Sequence, residues 1–509
     1  MTVSFEPLTP TAFLDRAATV YADRTAVVDG DLRLTYAQLH DRCLRQAGAL
    51  AALGVEPGDR VAVLAPNTHL MLEAHFSVLY AGAVLVALNT RLSAGELRAI
   101  VAHAGCRALV YDPELAPLAA ALAPPGVRLV DGGEELDALL AGAPRLRVPV
   151  TDERGLMALN YTSGTTGRPK GVMYHHRGAY LQSLAMISHF GLGGETVFLW
   201  TLPMFHCNGW CMTWAVTAAG GTHVCLRRVD PPRVWRLIAD ERVTMLCAAP
   251  TVLTDLAEAG SPGDRSVTVA VGGAPPSPAL LHRCATLGLD VTHLYGLTET
   301  FGPAAICDWR PEWSALPEAE QAVLRARQGV ANVISCELRL VDAAGRDVPA
   351  DGASVGEVAM RGNNVMLGYY RDEEATRAAV PDGWLRTGDL AVRHPDGYLE
   401  LRDRSKDVII SGGENISSIE VEVALTSHPA VLEAAVVAVP HDRWGERPVA
   451  FVTLRPGAVS SEEELRAHVR DRLAAFKVPD RVEFAALPKT ASGKIRKVEL
   501  RETARARHV

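Results

Sequence analysis

A stretch of ten residues, 162–171, concentrates groups that bind anions. Its sequence, TSGTTGRPKG, contains four hydroxyl side chains, three glycines and one lysine. Glycines let backbone N–H groups point at a ligand, hydroxyls donate hydrogen bonds to phosphate oxygens, and a lysine adds positive charge. We therefore interpret this stretch as a polyphosphate-binding loop. Its candidate binding residues are Thr162, Ser163, Gly164, Thr165, Thr166, Gly167 and Lys170.

The flanking residues predict the setting of this loop. The apolar pattern LMALNY before it predicts a strand, and VMYHHRGAYLQSLAMISHF after it predicts a helix. A strand, a loop and a helix in this order form an anion cradle, because the first N–H groups of a helix are unpaired. The spacing is not that of a Walker A loop, since Lys170 is followed by Gly171 and not by Ser or Thr. A flexible surface turn is the alternative interpretation.

Lysine is rare in this chain, and the positions of the few lysines are informative. Only six of the 51 basic residues are lysines, which a codon bias towards arginine would explain. Codon bias does not explain why one of them is Lys170 and why three lie in PKTASGKIRK, residues 488–497. A lysine carries a compact charge on a flexible stem, so it can reach into a site from a neighbouring domain. Lys494 is our main candidate for that role.

Together, these and further motifs resemble acyl-CoA synthetases of the adenylate-forming superfamily, which also contains luciferases and peptide-synthetase adenylation domains. The resemblance covers essentially the whole chain, in the family's motif order. LPMFHCNGW and RARQGV are most similar to medium-chain fatty-acyl and aryl-acid CoA ligases. The other matching motifs are YTSGTTGRPKG for phosphate, YGLTET (295–300) for adenine and metal, RTGDL (386–390) for ribose, DRSKD (403–407) for a hinge, SGGENIS (411–417) for thioester formation and PKTASGKI for a catalytic lysine.

The resemblance implies an ATP-dependent carboxylic acid:CoA ligase. Such an enzyme forms an acyl-adenylate with release of pyrophosphate, then an acyl-CoA thioester, and it uses ATP, Mg²⁺ and CoA. The acid would be a medium-chain fatty acid or an aryl acid. Three alternatives stay open: loading of a carrier-protein phosphopantetheine, activation of a small oxyacid such as nitrous acid for reaction with an arylamine, and nucleotide binding without catalysis. The presence of Lys494 and Glu299 counts against the last alternative.

The resemblance also implies a role for each candidate residue. Lys494 would bridge the carboxylate and the α-phosphate and neutralise charge as the new bond forms. Lys170 would hold the β- and γ-phosphates, and Glu299 with Thr165 would place Mg²⁺. The residues implied to bind the nucleotide are Gly272, Gly273 and Ala274 in the adenine pocket, Tyr295 on the adenine face, Gly296 and Thr298 in the same motif, and Asp389 and Arg404 at the ribose.

A thiol must attack the adenylate in the second half-reaction, and Lys494 would then block its approach. Rotation at a hinge, residues 404–406 with Lys406 as the pivot, would withdraw Lys494. The same rotation would present Gly412 and Gly413, beside which a pantetheine arm can pass close to the backbone. We therefore expect an N-terminal adenylate-forming domain at residues 1–403 and a mobile C-terminal domain at residues 407–509. A solvated charge cluster is the alternative interpretation of DRSKD.

The segment LPMFHCNGW indicates the acid pocket. His206 is expected at its carboxylate end, where it could act as a gate and count among the catalytic residues. A packed core histidine is the alternative for a histidine among apolar residues. Trp210, Cys211 and Phe301 are candidates for the wall or floor of this pocket.

Periodicity predicts an α/β fold for the larger part of the chain. Thr35 with Gln38 and Ser93 with Glu96 have the spacing of helix capping boxes, and helical patterns alternate with short apolar strands. After residue 330, short strands separated by turns predict a β-rich subdomain. From DRSKD onwards, two strands and a helix starting at Ser461 predict a small α+β domain.

Composition and cysteine usage limit the class of protein. With 509 residues, 48% of them apolar, the chain should form two or more globular domains, and a net charge of -8 argues against nucleic-acid binding. The longest near-apolar run, residues 76–88, is too short to span a bilayer. Neither the first residues nor the final RHV match a targeting signal, so we expect a cytoplasmic enzyme without integral membrane association. A homodimer is left open.

Other motifs do not support competing chemistry. Nine cysteines lie mostly in apolar stretches without a C-x-x-C pair, which is typical of reduced, packed thiols. His206, Cys207 and Cys211 lack the partner ligands of a zinc site. GASVG (352–356) lacks the strand and helix that flank a nucleophile elbow, and the chain contains no G-x-G-x-x-G dinucleotide motif.

Overall fold

The fold consists of four β-sheets and the helices that pack on them. The computed structural model describes residues 4–162, 169–260, 266–335, 337–404, 406–411, 414–441, 443–490 and 493–506. In chain order its strands are β1 Thr25–Asp29, β2 Leu32–Thr35, β3 Arg60–Leu64, β4 Val84–Ala87, β5 Cys106–Tyr111, β6 Arg128–Asp131, β7 Leu156–Thr162, β8 Lys170–His175, β9 Val197–Leu199, β10 Thr222–Val224, β11 Met245–Ala248, β12 Val267–Val271, β13 Leu289–Leu297, β14 Gly302–Ile306, β15 Val330–Ala331, β16 Glu337–Val341, β17 Gly356–Arg361, β18 Gly368–Tyr369, β19 Leu385–Arg393, β20 Leu399–Arg404, β21 Ile409–Ser411, β22 Glu414–Ile416, β23 Val431–His441, β24 Gly445–Leu454 and β25 Arg481–Phe484.

The helices lie between and upon these strands. In chain order they are α1 Thr11–Val20, α2 Tyr36–Ala52, α3 His69–Tyr80, α4 Ala94–Ala104, α5 Ala116–Leu122, α6 Glu134–Gly142, α7 His176–Phe190, α8 Cys207–Trp210, α9 Met212–Ala219, α10 Pro231–Asp240, α11 Pro250–Ala259, α12 Pro278–Thr286, α13 Glu318–Arg325, α14 Glu373–Ala379, α15 Ser418–Thr426, α16 Glu462–Arg470 and α17 Lys497–Ala506. Short 3-10 turns occur at Pro113–Leu115, Thr298–Thr300, Pro311–Ala315, Pro381–Gly383 and Ala475–Lys477.

Two large sheets confirm the predicted α/β architecture. One has nine strands in the order β15-β14-β13-β12-β11-β9-β10-β1-β2, and the other has seven in the order β18-β8-β7-β4-β3-β5-β6. The inner strand pairs, such as β11 with β12 and β3 with β4, are parallel. Parallel neighbours need long crossover connections, which explains the alternation of helix and strand patterns in the sequence. The expected capping boxes are present at Thr35 and Ser93.

Two smaller sheets follow along the chain. Strands β16-β17-β19-β20 form an antiparallel sheet, which confirms the predicted β-rich subdomain. The last sheet contains β22-β21-β24-β23 with β25 paired to β24, and α16 begins at Ser461 as expected. Sheet membership changes between Arg404, which ends β20, and Ile409, which begins β21. The predicted boundary at residues 404–406 lies in this interval and stays a prediction.

The predicted setting of the phosphate-binding loop is wrong in one respect. The chain after the loop forms strand β8, which pairs antiparallel with β7 and places Lys170 opposite Thr162. The segment contains Val172 and Tyr174, residue types that favour strands, and both are buried against the sheet. Helix α7 begins only at His176, so the loop joins two strands and does not end at a helix N-terminus. The predicted contribution of a helix N-terminus to anion binding is therefore not supported.

The cysteines and the apolar segments behave as expected. In the described part of the chain, eight cysteines are buried and unpaired. A helix with the length and apolar character needed to cross a membrane is not found among the described residues.

Candidate active site

Asp389 is the centre of a buried polar group. Register between β19 and β20 places Asp389 opposite Arg404, and the Arg404 Nε lies 3.0 Å from Asp389 Oδ1. The Tyr295 hydroxyl, at the end of β13, donates to Asp389 Oδ2 over 2.8 Å. Only 3% of Asp389 is exposed. The carboxylate is thus fixed from two sides, and it can accept further hydrogen bonds from a pair of hydroxyl groups.

Lys494 reaches this group from the C-terminal part of the chain. A Cβ atom placed on Gly273 would lie only 3.3 Å from Lys494 Cε, so the lysine stem runs across the backbone at the end of β12. Burial lowers the pKa of Lys494, and the charge of Arg404 lowers it further, whereas Asp389 and Glu299 act in the opposite direction. The ammonium group therefore lies where additional negative charge would stabilise it.

The loop that carries Lys494 is closed and docked. Lys494 N donates to Thr490 Oγ1 over 3.0 Å, and Thr490 N donates to Lys494 O over 2.7 Å. Gly493 has a φ of +82°, and a Cβ atom there would collide with Thr251 Oγ1 at 2.3 Å. A glycine is therefore required both by the backbone conformation and by the contact with the first turn of α11.

Glu299 and Lys170 are brought together by Tyr369, a residue that the sequence analysis missed. The Tyr369 hydroxyl donates to Glu299 Oε1 over 2.8 Å, and Lys170 Nζ lies 4.7 Å from the centroid of the Tyr369 ring. The second contact is a cation–π interaction. Tyr369 follows Gly368 in the two-residue strand β18, which pairs with β8. Nothing local in MLGYY distinguishes this tyrosine, because its partners are distant in sequence.

Part of the predicted phosphate site lies outside the described residues. These positions are Ser163, Gly164, Thr165, Thr166 and Gly167, and the same holds for Gly412 and Gly413 in the thioester motif. The described ends of the loop are Thr162 and Lys170, which face each other across β7 and β8. Both are partly buried beside the site.

Of the two predicted Mg²⁺ ligands, Thr165 and Glu299, only Glu299 is among the described residues. The Glu299 carboxylate is partly buried, and its Oε1 accepts a hydrogen bond from Tyr369. Oε2 and the remaining lone pairs can bind a hard cation, which takes few protein oxygens and completes its shell with water and phosphate. The residues present therefore fit Mg²⁺.

Residues 207–211, which comprise the short element α8 and Cys211, form a left-handed turn and not a right-handed helix. Its five φ angles run from 43° to 62° through Cys207, Asn208, Gly209, Trp210 and Cys211. Such a conformation costs about 1–2 kcal/mol for each L-residue, so other contacts must hold it. A run of this kind is not visible in the sequence, where only the Asn-Gly pair suggests a turn.

Asn208 supplies the contacts that hold this turn. Its backbone N–H donates to Asn160 Oδ1 over 3.0 Å, and its Oδ1 accepts from Asn160 Nδ2 over 3.1 Å. Its Nδ2 lies 3.0 Å from His75 Nε2, while His75 Nδ1 lies 2.7 Å from the carbonyl of Met71. Burial lowers the pKa of His75 to about 4, so the ring is neutral and accepts at Nε2. Both polar atoms of the Asn208 side chain are thereby hydrogen-bonded.

His206 and Cys207 border a small cavity next to the reacting centre. The cavity has a volume of about 40 Å³, and its lining includes Asn89, Tyr161 and Thr298 as well. Burial lowers the pKa of His206 to about 4, and the Lys494 charge contributes in the same direction. His206 is thus neutral near pH 7. Cys207 Sγ contacts Thr298 Oγ1 at 3.7 Å, and burial raises the pKa of this thiol to about 11.

Trp210, within this turn, and Phe301 are both buried. The Phe301 ring stacks on Tyr174 with centroids 3.8 Å apart, and Trp210 is 6% exposed. A Cβ atom on Gly272 would lie 2.9 Å from the Trp210 ring.

Gly296 and Ala274, two further predicted nucleotide-binding residues, differ in the space around them. A Cβ atom on Gly296 would lie 2.1 Å from the carbonyl oxygen of Gly302, so only glycine fits there. Ala274, in contrast, is exposed at the mouth of the predicted adenine pocket.

A second polar group joins the chain segments on either side of the predicted hinge. Asp403 in β20 accepts hydrogen bonds from the backbone N and the hydroxyl of Ser418, over 2.5 and 3.1 Å. Lys497 Nζ donates to the Ser418 hydroxyl over 2.6 Å and lies 2.7 Å from Glu422 Oε1. Elsewhere, Arg455 forms an ion pair with Glu258 of α11. The C-terminal part is therefore docked through polar contacts.

Comparisons with known proteins agree with this arrangement. The family model described as AMP-binding enzyme matches residues 14–370, and the model described as AMP-binding enzyme C-terminal domain matches residues 420–494. Acetate–CoA ligase CCL3 of Humulus lupulus is 44% identical, with 99% of this chain and 95% of the relative covered. The peroxisomal acetate/butyrate–CoA ligase AAE7 of Arabidopsis thaliana is 43% identical, with the same coverage. The crystal structure of the anthranilate CoA ligase AuaEII with anthranoyl-AMP has a TM-score of 0.89 and 26% identity, covering 99% of each chain.

Proposed function

Because the chain belongs to the AMP-binding enzyme family and is an acid–thiol ligase, we propose that it joins a small monocarboxylic acid, aliphatic or aromatic, to CoA at the site between Lys494 and Asp389. The observation that carries this proposal is the position of Lys494. Its stem crosses Gly273, and its charge interacts with Arg404, Asp389 and Glu299. A mobile cation beside a buried carboxylate suits a reaction that joins an anionic acid to a nucleotide phosphate.

In the first half-reaction, a carboxylate oxygen of the acid attacks the α-phosphorus of ATP. The bond from that phosphorus to the β-phosphate oxygen breaks, and pyrophosphate leaves with the electron pair. Two anions approach each other in this step, so Lys494 is expected to lower the barrier by neutralising charge between them. Lys170 would hold the departing phosphates. When bound by Glu299, Mg²⁺ supplies further charge neutralisation at the phosphate oxygens.

Asp389 is proposed to position the nucleotide. Its carboxylate is fixed by Tyr295 and Arg404, so it can accept both ribose hydroxyls without reorganising. Gly272, Gly273 and Ala274 would border the adenine, and Thr298, which contacts Cys207, would lie next to the acid end. Gly296 would allow the backbone to turn into this motif, because a side chain there would meet the carbonyl of Gly302.

In the second half-reaction, the CoA thiolate attacks the acyl carbonyl carbon and AMP leaves. The cavity bordered by His206 and Thr298 is proposed as the route to that carbon. Since Lys494 fills the site in this arrangement, it must withdraw first, and rotation at residues 404–406 would do so. The neutral His206 is proposed to act as a gate at this entrance. Domain limits at 1–403 and 407–509 are part of this proposal.

The experiment is an acid panel scored for pyrophosphate release with ATP and Mg²⁺, followed by addition of CoA, a holo carrier protein or an arylamine. We expect acyl-CoA to form with at least one acid. Lys494→Ala should reduce adenylate formation by about 10²-fold or more, yet leave conversion of a supplied acyl-adenylate to the thioester largely intact. Equal loss in both half-reactions would refute the role of Lys494. Thioester formation only on the carrier protein would refute CoA as the acceptor.

The chain length of the acid, the cellular location and the oligomeric state are also part of this proposal. The acid panel includes medium-chain acids, which the sequence motifs favoured. The cytoplasmic location stays a prediction, and four similar proteins carry the word peroxisomal in their names. Assembly as a homodimer is tested by light scattering.

A further inference from the structure

Lys497, the first residue of α17, lies in a largely enclosed polar cluster. Its Nζ donates to Ser418 Oγ over 2.6 Å and lies 2.7 Å from Glu422 Oε1. The side chains of Lys497 and Glu422 are only 17% and 18% exposed. Ser418 Oγ in turn donates to Asp403 Oδ1 over 3.1 Å. An ammonium group, a hydroxyl and a carboxylate thus form a chain of hydrogen bonds from α17 to strand β20.

The Asp403 carboxylate at the end of this chain is held by several donors. Its Oδ2 accepts from Ser418 N over 2.5 Å, and its Oδ1 also accepts from Arg404 N over 2.8 Å. Asp403 is 3% exposed and Ser418 is fully buried. Burial raises the pKa of Asp403, while the Lys497 charge and the hydrogen bonds from Ser418 act in the opposite direction. Enclosing a carboxylate is unfavourable unless donors and positive charge compensate, and here the C-terminal part supplies both.

The end of β20 serves two neighbours at once. Successive side chains of a strand point to opposite faces. Arg404 contacts Asp389 in the proposed nucleotide site, and the preceding residue, Asp403, contacts Ser418 at the start of α15. Two adjacent residues therefore join the reacting centre and the C-terminal part.

The contacts of Asp403 cross the predicted hinge, whereas the Lys497 pair does not. Asp403 precedes residues 404–406, and Ser418, Glu422 and Lys497 follow them. Rotation at the hinge would carry these three residues together and keep the ion pair of Lys497 with Glu422 intact. The same rotation would separate Ser418 from Asp403. The two hydrogen bonds of Asp403 to Ser418 therefore belong to the docked arrangement.

We propose that Asp403 is a positioning residue for adenylate formation, because its two hydrogen bonds to Ser418 keep the C-terminal part docked with Lys494 at the reacting centre. Lys497 strengthens this contact by its charge. The hydrogen bonds must break before the thiol can attack. This inference rests on the proposed function, since it assumes that Lys494 serves the first half-reaction and withdraws for the second.

The test measures both half-reactions in Asp403→Ala and Asp403→Asn. ATP–pyrophosphate exchange should slow about tenfold or more in Asp403→Ala, because two hydrogen bonds to a buried carboxylate are lost. Thioester formation from a supplied acyl-adenylate should stay unchanged or become faster, because the docked fraction falls. Asp403→Asn keeps an oxygen that can accept from Ser418 N, so its exchange rate should lie between those of the wild type and Asp403→Ala.

Two readouts separate this role from a disturbance of Arg404. Asp389 still contacts Arg404 through its side chain in both variants, so the loss should appear in kcat for exchange with KM for ATP little changed. Ser418→Ala keeps the backbone donor and loses only the hydroxyl. It should therefore slow exchange less than Asp403→Ala does, about two- to fivefold.

Glu420→Gln is the matched control on the same helix. The Glu420 carboxylate accepts from Lys477 Nζ over 2.8 and 2.6 Å, and both residues lie beyond the hinge. Rotation would leave this ion pair intact. Glu420→Gln should therefore keep the ratio of the two half-reaction rates at the wild-type value.

Three results would overturn the inference while the proposed function stands. These are an unchanged exchange rate in both Asp403 variants, equal slowing of both half-reactions in those variants, and a loss confined to KM for ATP. Absence of pyrophosphate release with every acid in the wild type would instead refute the proposed function itself.

Discussion

Lys494 is a cation held where its charge is disfavoured. Burial and the neighbouring Arg404 lower its pKa below the ordinary value of 10.5. The group therefore loses its proton at lower pH than a free lysine does, and adenylate formation should decline as the pH rises towards that point. Since kcat/KM reports the free enzyme, the decline should appear in kcat/KM for ATP at a pH below 10.5.

The control for this pH effect is Lys494→Arg. A guanidinium stays protonated throughout the range, so the alkaline decline should disappear even if the overall rate falls. An identical decline in the arginine variant would assign it to another group.

Tyr369 makes two contacts that substitution can separate. Tyr369→Phe removes the hydrogen bond to Glu299 but keeps the ring beneath Lys170, whereas Tyr369→Leu removes both. A hydrogen bond to a carboxylate contributes about 1.5–3 kcal/mol, so Tyr369→Phe should raise the Mg²⁺ concentration for half-maximal ATP–pyrophosphate exchange about tenfold. KM for ATP should change mainly in Tyr369→Leu. If the two variants change the half-maximal Mg²⁺ concentration and KM for ATP equally, the two contacts of Tyr369 do not have separate roles.

At the scale of elements, the left-handed turn of residues 207–211 depends on one side chain. Asn208→Gly keeps a residue that tolerates positive φ but loses the side-chain hydrogen bonds to Asn160 Nδ2 and His75 Nε2, while Asn208→Ala loses both advantages; the backbone N–H bond to Asn160 Oδ1 remains in both variants. We expect losses in the free energy of unfolding of about 1–3 kcal/mol for Asn208→Gly, and about 1 kcal/mol more for Asn208→Ala. Urea denaturation measures both. Equal stability of the two variants would mean that the positive φ carries no cost.

Some elements of the fold can be predicted from the sequence and others cannot. Helices α2 and α4 were predictable because Thr35 and Ser93 begin them through contacts three residues away. The sequence pattern predicts a helix where strand β8 forms, because the pairing of β8 with β7 depends on the sheet and not on nearby residues. The same reason hides Tyr369 and the Asn208 network, whose partners are far along the chain. The family resemblance indicated Asp389 and Arg404, and the positions of the few lysines indicated Lys494; the structure brings the three together.

At the scale of the whole molecule, the C-terminal part is held against the rest by polar contacts. Glu258 of α11 pairs with Arg455, and the side chains of both are about one-third exposed or less. A pair of this exposure contributes about 1 kcal/mol at most. Glu258 also pairs with Arg283 of α12, so the substitution that removes only the contact with the C-terminal part is Arg455→Gln. Arg455→Gln should therefore slow ATP–pyrophosphate exchange about two- to fivefold, because Lys494 is docked for a smaller fraction of the time. Thioester formation from a supplied acyl-adenylate should not slow.

Glu241→Gln is the control for this change. It removes an ion pair with Arg33 that lies within the N-terminal part. Both half-reactions should keep their rates. Limited proteolysis should cut faster in Arg455→Gln than in Glu241→Gln if docking is weakened, and equal cutting would contradict that explanation.

The buried thiols have a practical consequence for following such openings. Eight cysteines of the described chain are enclosed, and Cys207 lies directly against Thr298 at the reacting centre. A thiol reagent can modify an enclosed sulfur only while the surrounding structure is open. The rate of labelling at Cys207 can be resolved by mass spectrometry with and without an adenylate analogue. It would therefore report how often the structure around Cys207 opens in the unaltered protein.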